Sequence, residues 1–312
     1  MKTVVVALGG NAILKPGQKG TIEEQMENVN DAARNVVALV REGYNVVVAH
    51  GNGPQVGNIL VQNEAARDQV PAMPLYVCGA QSQGLIGFMI GQNLQNELRR
   101  EGIDRPVTTL LTQVVVDPYD PAFSHPSKPV GPFYAEAHAR EALERGEHWI
   151  EDSGRGWRKV VPSPRPMDVV ELDQVKTLIE AGSLVITVGG GGIPVQKGTD
   201  GTLQGVEAVI DKDLASSLLA RELRADILVI ATDVDNVAIR YGKPDQLDLE
   251  TITVDEARHY AAEGHFGKGS MGPKVQAILE FVDFGGEGII TSLSNLREAV
   301  VAGKGTRIVR PE

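Results

Sequence analysis

The chain has 312 residues, 42% of them apolar and 23% charged, with a formal net charge of −11. That length can bury one large or two moderate cores, and the composition is that of a globular protein in water. The acidic balance offers no electrostatic footprint for nucleic acid or an anionic membrane, so an anionic ligand has to be held by locally placed lysines. A single cysteine, Cys78, excludes an internal disulfide and fits a reducing compartment.

The N-terminal MKTVVVALGGNAIL reads as a first strand and turn, not as a signal peptide. No apolar run approaches the roughly 20 residues that span a bilayer, so the cytoplasm is the expected location. Residues 3–8 form the first strand, broken at Gly9-Gly10-Asn11. Thr21 and Glu24 have the spacing of a capping box, and a helix is expected from there to Gly43. A second buried strand covers 44–50 and ends at His50-Gly51-Asn52-Gly53, with Pro54 suited to a helix start. A helix is expected from Gly79 to about Glu101, and 107–116 reads as one strand.

Composition then changes. Residues 117–166 hold eight of the seventeen prolines and both tryptophans, Trp149 and Trp157. A segment so rich in proline does not continue a central sheet. We read it as a small subdomain with one short helix and its own tryptophan core, bounded by Asp117-Pro118 and by PSPRP (162–166). The main pattern resumes with a helix at 171–181 and a strand at 183–188, broken by four glycines, 189–192. A helix with Asp211 as N-cap follows, then the strand 226–231 and a hairpin around 241–246. Another helix is expected after Gly272 with Pro273 at its first position. GIIT (288–291), a short helix near 295–302 and GTRIV (305–309) close the chain.

Several of these strands are apolar without alternation, the pattern of strands covered on both faces. The expected fold is α/β: a three-layer α/β/α sandwich with a mainly parallel central sheet, its glycine turns at the carboxyl edge where such sheets bind ligands.

Lys212 and Lys274 both fall in a first helical turn, beside glycines or an aspartate. A helix N-terminus carries about half a positive charge and disfavours a cation. Two such lysines point to an anion held between them, with Asp213 orienting them or favouring the helix start. Three glycine turns, GGN (9–11), GNG (51–53) and GGGG (189–192), offer backbone N–H donors to an anion. Two nucleotide fingerprints are missing: no GxGxxG opens a helix after the first strand, and HFGKGS (265–270) lacks the glycine five positions before Lys268. The histidines of the insertion lack metal-ligand spacing. His50 reads as a packed strand-end residue, and Cys78 as a small buried hydrophobe.

The motifs ALGGNAI (7–13), HGNGPQVG (50–57), VPSPRP (161–166), GGGGIPV (189–195), GVEAVIDKDLAS (205–216), ATDVDNV (231–237) and FGKGSMGPKV (266–275), with the insertion, resemble carbamate kinase of the amino acid kinase fold over essentially the full length. The resemblance implies reversible phosphoryl transfer between ATP and carbamate, often towards ATP at the end of arginine breakdown by the deiminase route. It implies Mg²⁺ carried by ATP or ADP with no protein metal ligands assigned, and a homodimer. It implies an N-terminal lobe (1–210) for carbamate or carbamoyl phosphate, with the protruding subdomain at about 117–166, and a C-terminal nucleotide lobe (211–312).

On that basis Lys212, Lys274, Asp213 and Lys128 are the catalytic candidates. Lys212 and Lys274 would hold the transferring phosphoryl oxygens, and Lys128 would reach in from the insertion. Gly9, Gly10, Asn11, Gly51, Asn52, Gly53, Gly190 and Gly191 are the substrate-binding candidates. Thr232, Asp233, Tyr241, Met271 and Gly272, with both lysines, are those for the nucleotide. Another amino acid kinase, acting on acetylglutamate, aspartate or a nucleoside monophosphate, and an inactive nucleotide-binding regulator are the alternatives. A dehydrogenase is disfavoured by the missing dinucleotide motif.

Overall fold

The structure is a computed structural model that describes residues 1–151, 154–267 and 271–311. Its elements run β1 (Thr3–Leu8), α1 (Ile22–Arg41), β2 (Asn45–His50), α2 (Gly53–Ala65), α3 (Leu75–Arg100), β3 (Val107–Thr109) and β4 (Gln113–Val116). The insertion follows as β5 (Lys128–Tyr134), α4 (Glu136–Glu144), β6 (Trp149–Glu151) and β7 (Trp157–Val161). Next come β8 (Pro166–Val169), α5 (Leu172–Glu180), β9 (Leu184–Ile186), β10 (Ile193–Lys197), β11 (Leu203–Gly205), α6 (Lys212–Glu222) and β12 (Ile227–Thr232). The chain ends with β13 (Ala238–Ile239), β14 (Leu247–Asp248), β15 (Thr251–Thr253), α7 (Val254–Ala262), α8 (Met271–Val282), β16 (Glu287–Ser292), α9 (Leu296–Ala302) and β17 (Thr306–Val309).

The central sheet has the order β15-β17-β16-β12-β1-β2-β9-β3. Its pairings are parallel except between β16 and β17. Side chains alternate between two cores, as a pleated strand requires. Val4, Val6 and Leu8 of β1 pack with α1, α3 and α9 on one face. Val5 and Ala7 pack with α5, α6, α7 and α8 on the other. Burial on both faces is why these strands read as continuous apolar runs, and the expected three-layer sandwich is the observed one.

Local chemistry sets the helix ends. Thr21 accepts from the Glu24 amide, and the Glu24 carboxylate accepts from the Thr21 amide, closing the expected capping box. The third helix starts at Leu75, four residues earlier than expected, because Pro74 precedes it and the Glu207 carboxylate accepts from the Leu75 N–H at 3.0 Å. Described α8 already includes Met271, where the sequence suggested a start at Pro273. The Gly272 N–H donates to the Gly267 carbonyl at 2.9 Å, which ties the start of described α8 to the preceding chain.

The run 107–116 is not one strand. β3 ends on the central sheet beside β9, and β4 belongs to a second sheet of order β11-β10-β4-β8. The crossing is pinned at Thr112, whose amide donates to Gln83 Oε1 at 2.9 Å and whose carbonyl accepts from Gln83 Nε2 at 3.0 Å. Thr112 Oγ1 also accepts from the Val188 amide at 3.1 Å. Val188 has φ +52°, a left-handed conformation costly for a β-branched residue.

The insertion forms its own sheet, β5-β7-β6, with Ala139, Ala142, Trp149, Tyr134 and Trp157 as a small core. It rests on α2 where Gly57 faces Gly131; a Cβ on Gly57 would lie 2.9 Å from the Gly131 Cα. The expected hairpin is present as β13 and β14, which pair antiparallel.

Candidate active site

Parallel strands deliver their C-terminal ends to one edge. There Gly9 follows β1, Gly51 follows β2 and Asp233 follows β12. The three ends are tied closely: the Gly9 N–H donates to the Ala231 carbonyl and the Gly51 N–H to the Leu8 carbonyl, each at 3.0 Å. A cavity of about 1250 Å³ opens at this edge. Its walls include Gly9, Gly10, Asn11, Lys128, Lys212, Asp213, Thr232, Asp233 and Lys274. Ligand clefts commonly measure about 300–1,000 Å³, so the space suits a nucleotide together with a second small substrate.

The two lysines named from the sequence meet here. Helix α6 begins at Lys212 because the Asp211 side chain caps it, accepting from the amides of Asp213 (2.9 Å) and Leu214 (3.4 Å). That places the Asp213 carboxylate in the interior, 3% exposed. One of its oxygens accepts from Lys212 Nζ and the other from Lys274 Nζ at 2.9 Å. A single carboxylate thus holds ammonium groups from two helices on one wall.

Electrostatics accounts for the arrangement. Burial pushes the Lys212 ammonium below the ordinary lysine value; Asp213 opposes this and Lys274 adds to it. Burial alone would raise the Asp213 carboxyl, but the two lysines outweigh it and hold the group below the usual carboxylate range. The carboxylate is therefore charged and the pair of cations is tolerated.

Lys128 enters from the start of β5, and its Nζ donates to Asp211 Oδ2 at 2.7 Å. Gly51 packs on the stem of Lys212: a Cβ there would lie 3.2 Å from Lys212 Cδ. His50 is buried, its Nδ1 lies 3.0 Å from the Gly51 carbonyl, and burial lowers its pKa to about 4. It is a neutral packing residue at pH 7, in line with the reading from sequence.

Other candidates stand apart from the cavity wall. Asn52 is buried and donates to Ser82 Oγ at 2.8 Å. Gly190 (φ +65°) lies against it, and a Cβ on Gly190 would sit 2.2 Å from Asn52 Nδ2. Gly53 opens α2, and Gly191 packs on the Ile210 backbone. Tyr241 is 68% exposed between β13 and β14. Met271 and Gly272 open described α8. Lys268, of the stretch 265–270, lies outside the described residues.

Sequence reasoning missed part of the cavity. Asn28 of α1 lines it, buried, donating to the Ile13 carbonyl at 3.1 Å and to Gln18 Oε1 at 2.6 Å. Lys15, Asp31 and Arg34 line it as well, Asp31 lying 3.4 Å from Arg34 and 3.8 Å from Lys15. Nothing local marks these residues, which read as a solvated helix face and loop. Asp211 gave a signal only as a cap.

Among the described residues no group of three or more His, Cys, Asp and Glu could hold a metal ion. Asp211 and Asp213 are both engaged by lysines.

Comparison with known proteins gives the family. The amino acid kinase family profile matches residues 2–292. The carbamate kinase of Thermococcus kodakarensis is 55% identical over 315 residues, covering 99% of this chain and 100% of that protein. That of Pyrococcus furiosus is 51% identical, with 99% of each covered. The solved structure of Giardia lamblia carbamate kinase bound to AMP-PNP superposes with a TM-score of 0.93, at 49% identity and 99% coverage of both chains.

Proposed function

The chain belongs to the amino acid kinase family and within it to the carbamate kinases, and we propose that its cavity carries out ATP + carbamate ⇌ ADP + carbamoyl phosphate. The observation that carries the reading is the Lys212–Asp213–Lys274 unit on the wall of a cavity at the carboxyl edge of the sheet.

Phosphoryl transfer asks little covalent chemistry of a protein. It needs in-line placement and neutralisation of charge on the moving group. We assign Lys212 and Lys274 to the oxygens of that group, with Asp213 fixing both ammonium heads by charge-assisted bonds. Gly9, Gly10 and Asn11 offer backbone donors beside them. Gly51, Asn52 and Gly53, with Gly190 and Gly191, shape the acceptor side, and Lys128 approaches from the insertion. Carbamate is already an anionic nucleophile, so no general base is required, which agrees with a neutral, enclosed His50. Thr232 and Asp233 at the end of β12, with Tyr241, Met271 and Gly272, are assigned to the nucleotide. Mg²⁺, when bound with the nucleotide, would offset the negative charge of its phosphates.

The wider setting belongs to the same proposal. Residues 1–210 form the acceptor lobe, with the protruding subdomain at about 117–166, and residues 211–312 the nucleotide lobe. A homodimer is part of the same reading and rests on the family likeness. A buried lone cysteine supports a cytoplasmic location; no described helix is long and apolar enough to cross a membrane. Net ATP formation in arginine breakdown rests on the family likeness.

The test is ATP formation from ADP and carbamoyl phosphate, with and without Mg²⁺. Magnesium-dependent ATP formation is expected. ADP binding with no ATP at any Mg²⁺ concentration favours a regulator, and a better acceptor among acetylglutamate, aspartate and nucleoside monophosphates favours a sister kinase.

A further inference from the structure

Asp211 does two things at once. Its Oδ1 accepts from the amides of Asp213 and Leu214, which starts α6. Its Oδ2 accepts from Lys128 Nζ at 2.7 Å. The first task needs only a polar side chain of the right length; serine or asparagine serves as well. The second needs a charge. The Asp211 side chain is 15% exposed and that of Lys128 37%, so the pair is partly withdrawn from water, where a charge-assisted bond outweighs its exposed counterpart.

The placement gives this bond its meaning. Lys128 stands on β5 of the insertion, whereas Asp211 is next in sequence to Lys212 and two residues from Asp213. The bond therefore joins the insertion to the helix end that carries the lysine–carboxylate unit. It also settles where the Lys128 ammonium rests: on Asp211, at the wall of the cavity that Lys212 and Lys274 also line. A lysine stem has four rotatable bonds and no preferred aim of its own.

We propose that Asp211 is a positioning residue for this reaction: it seats Lys128 over the acceptor side and latches the insertion to α6, apart from its role as a helix cap. The proposal rests on the kinase reading above. In it, Lys128 moves a short way from the Asp211 carboxylate onto an oxygen of the carbamoyl phosphate, and its charge is pre-placed rather than recruited from solvent.

Asp211→Asn separates the two tasks, since asparagine caps as well as aspartate but offers no charge. Steady-state ATP formation is measured for the parent, Asp211→Asn, Lys128→Ala and the double variant. Asp211→Asn is expected to raise KM for carbamoyl phosphate about tenfold, equivalent to about 1.4 kcal/mol, with KM for ADP within twofold. In the Lys128→Ala background the same substitution is expected to change neither constant by more than about twofold, the signature of two residues acting as one. Hydrogen exchange of amides 128, 130, 131, 133 and 134 in the ligand-free proteins is read in parallel, and faster exchange in Asp211→Asn is expected. Parental kinetics in Asp211→Asn, an equal loss in both backgrounds, or unchanged exchange overturns the proposal. A parent that makes no ATP overturns the kinase reading instead, and the exchange result still reports on the latch.

Discussion

Replacing Asp213 by asparagine keeps the shape of the side chain and removes the carboxylate that Lys212 and Lys274 share. At 2.9 Å, with an effective dielectric constant near 20, one such contact is worth about 6 kcal/mol in Coulomb energy. Most of that offsets the cost of withdrawing the charges from water, and breaking a buried pair by removing one partner costs about 3–5 kcal/mol net. For a chain this long the expected fall in Tm is roughly 10 °C.

The pH dependence is sharper. Burial and Lys274 already lower the Lys212 pKa, and Asp213 opposes them. Without Asp213 the folded protein binds the Lys212 proton less readily than the unfolded chain, whose lysine titrates near 10.5. The variant's stability therefore rises with pH towards that value and falls as pH drops. Activity has the opposite sign, because the phosphoryl oxygens need a charged Lys212: residual turnover should climb as pH falls from 9 to about 6. Thermal melts and kcat for ATP formation across that range check both. A variant that melts within about 2 °C of the parent and keeps kcat within about threefold would refute the reasoning.

Lys212→Ala and Lys274→Ala should each lower kcat at least ~10²-fold while the far-ultraviolet spectrum stays parental, the scale of one lost charge-stabilising group. His50, with its pKa lowered to about 4 from 6.5, favours the folded state fully above pH 6.5 and loses that contribution as pH falls to 4, up to about 3 kcal/mol. Urea titrations at pH 7 and 4.5 should show His50→Gln losing less stability between the two than the parent. Thr112→Val removes the hydroxyl that accepts from the Val188 amide and should cost about 1–3 kcal/mol. Thr112→Ser should recover most of it in the same urea titration.

Much of this was legible in the residues. Apolar runs gave β1, β2 and β12, the Thr21–Glu24 spacing gave α1, and the two tryptophans gave the insertion's core. The lysines stood out because a cation at a helix start is out of place. The sheet β11-β10-β4-β8 did not stand out, since a chain that leaves one sheet for another at Thr112 carries the same β-prone residues on both sides. Strand β15 and helix α7 were overlooked although Thr253 and Glu256 form a capping box of the kind recognised at Thr21. The α1 wall of the cavity depends on how a helix turns towards a distant strand end, and no local pattern records that.

The seam between α2 and the insertion deserves a mechanical reading. Gly57 and Gly131 bring two backbones together with no side chain between them. Interlocked side chains act as gear teeth and hold one register. Beside the bare glycine contact, Val56, Ile59 and Leu60 of α2 pack with Val130 and Val161 of the insertion, so the seam has teeth on one side of a smooth face. Lys128 lies three residues from Gly131 on the same strand, so a side chain added at Gly57 would push back the strand that carries its ammonium group.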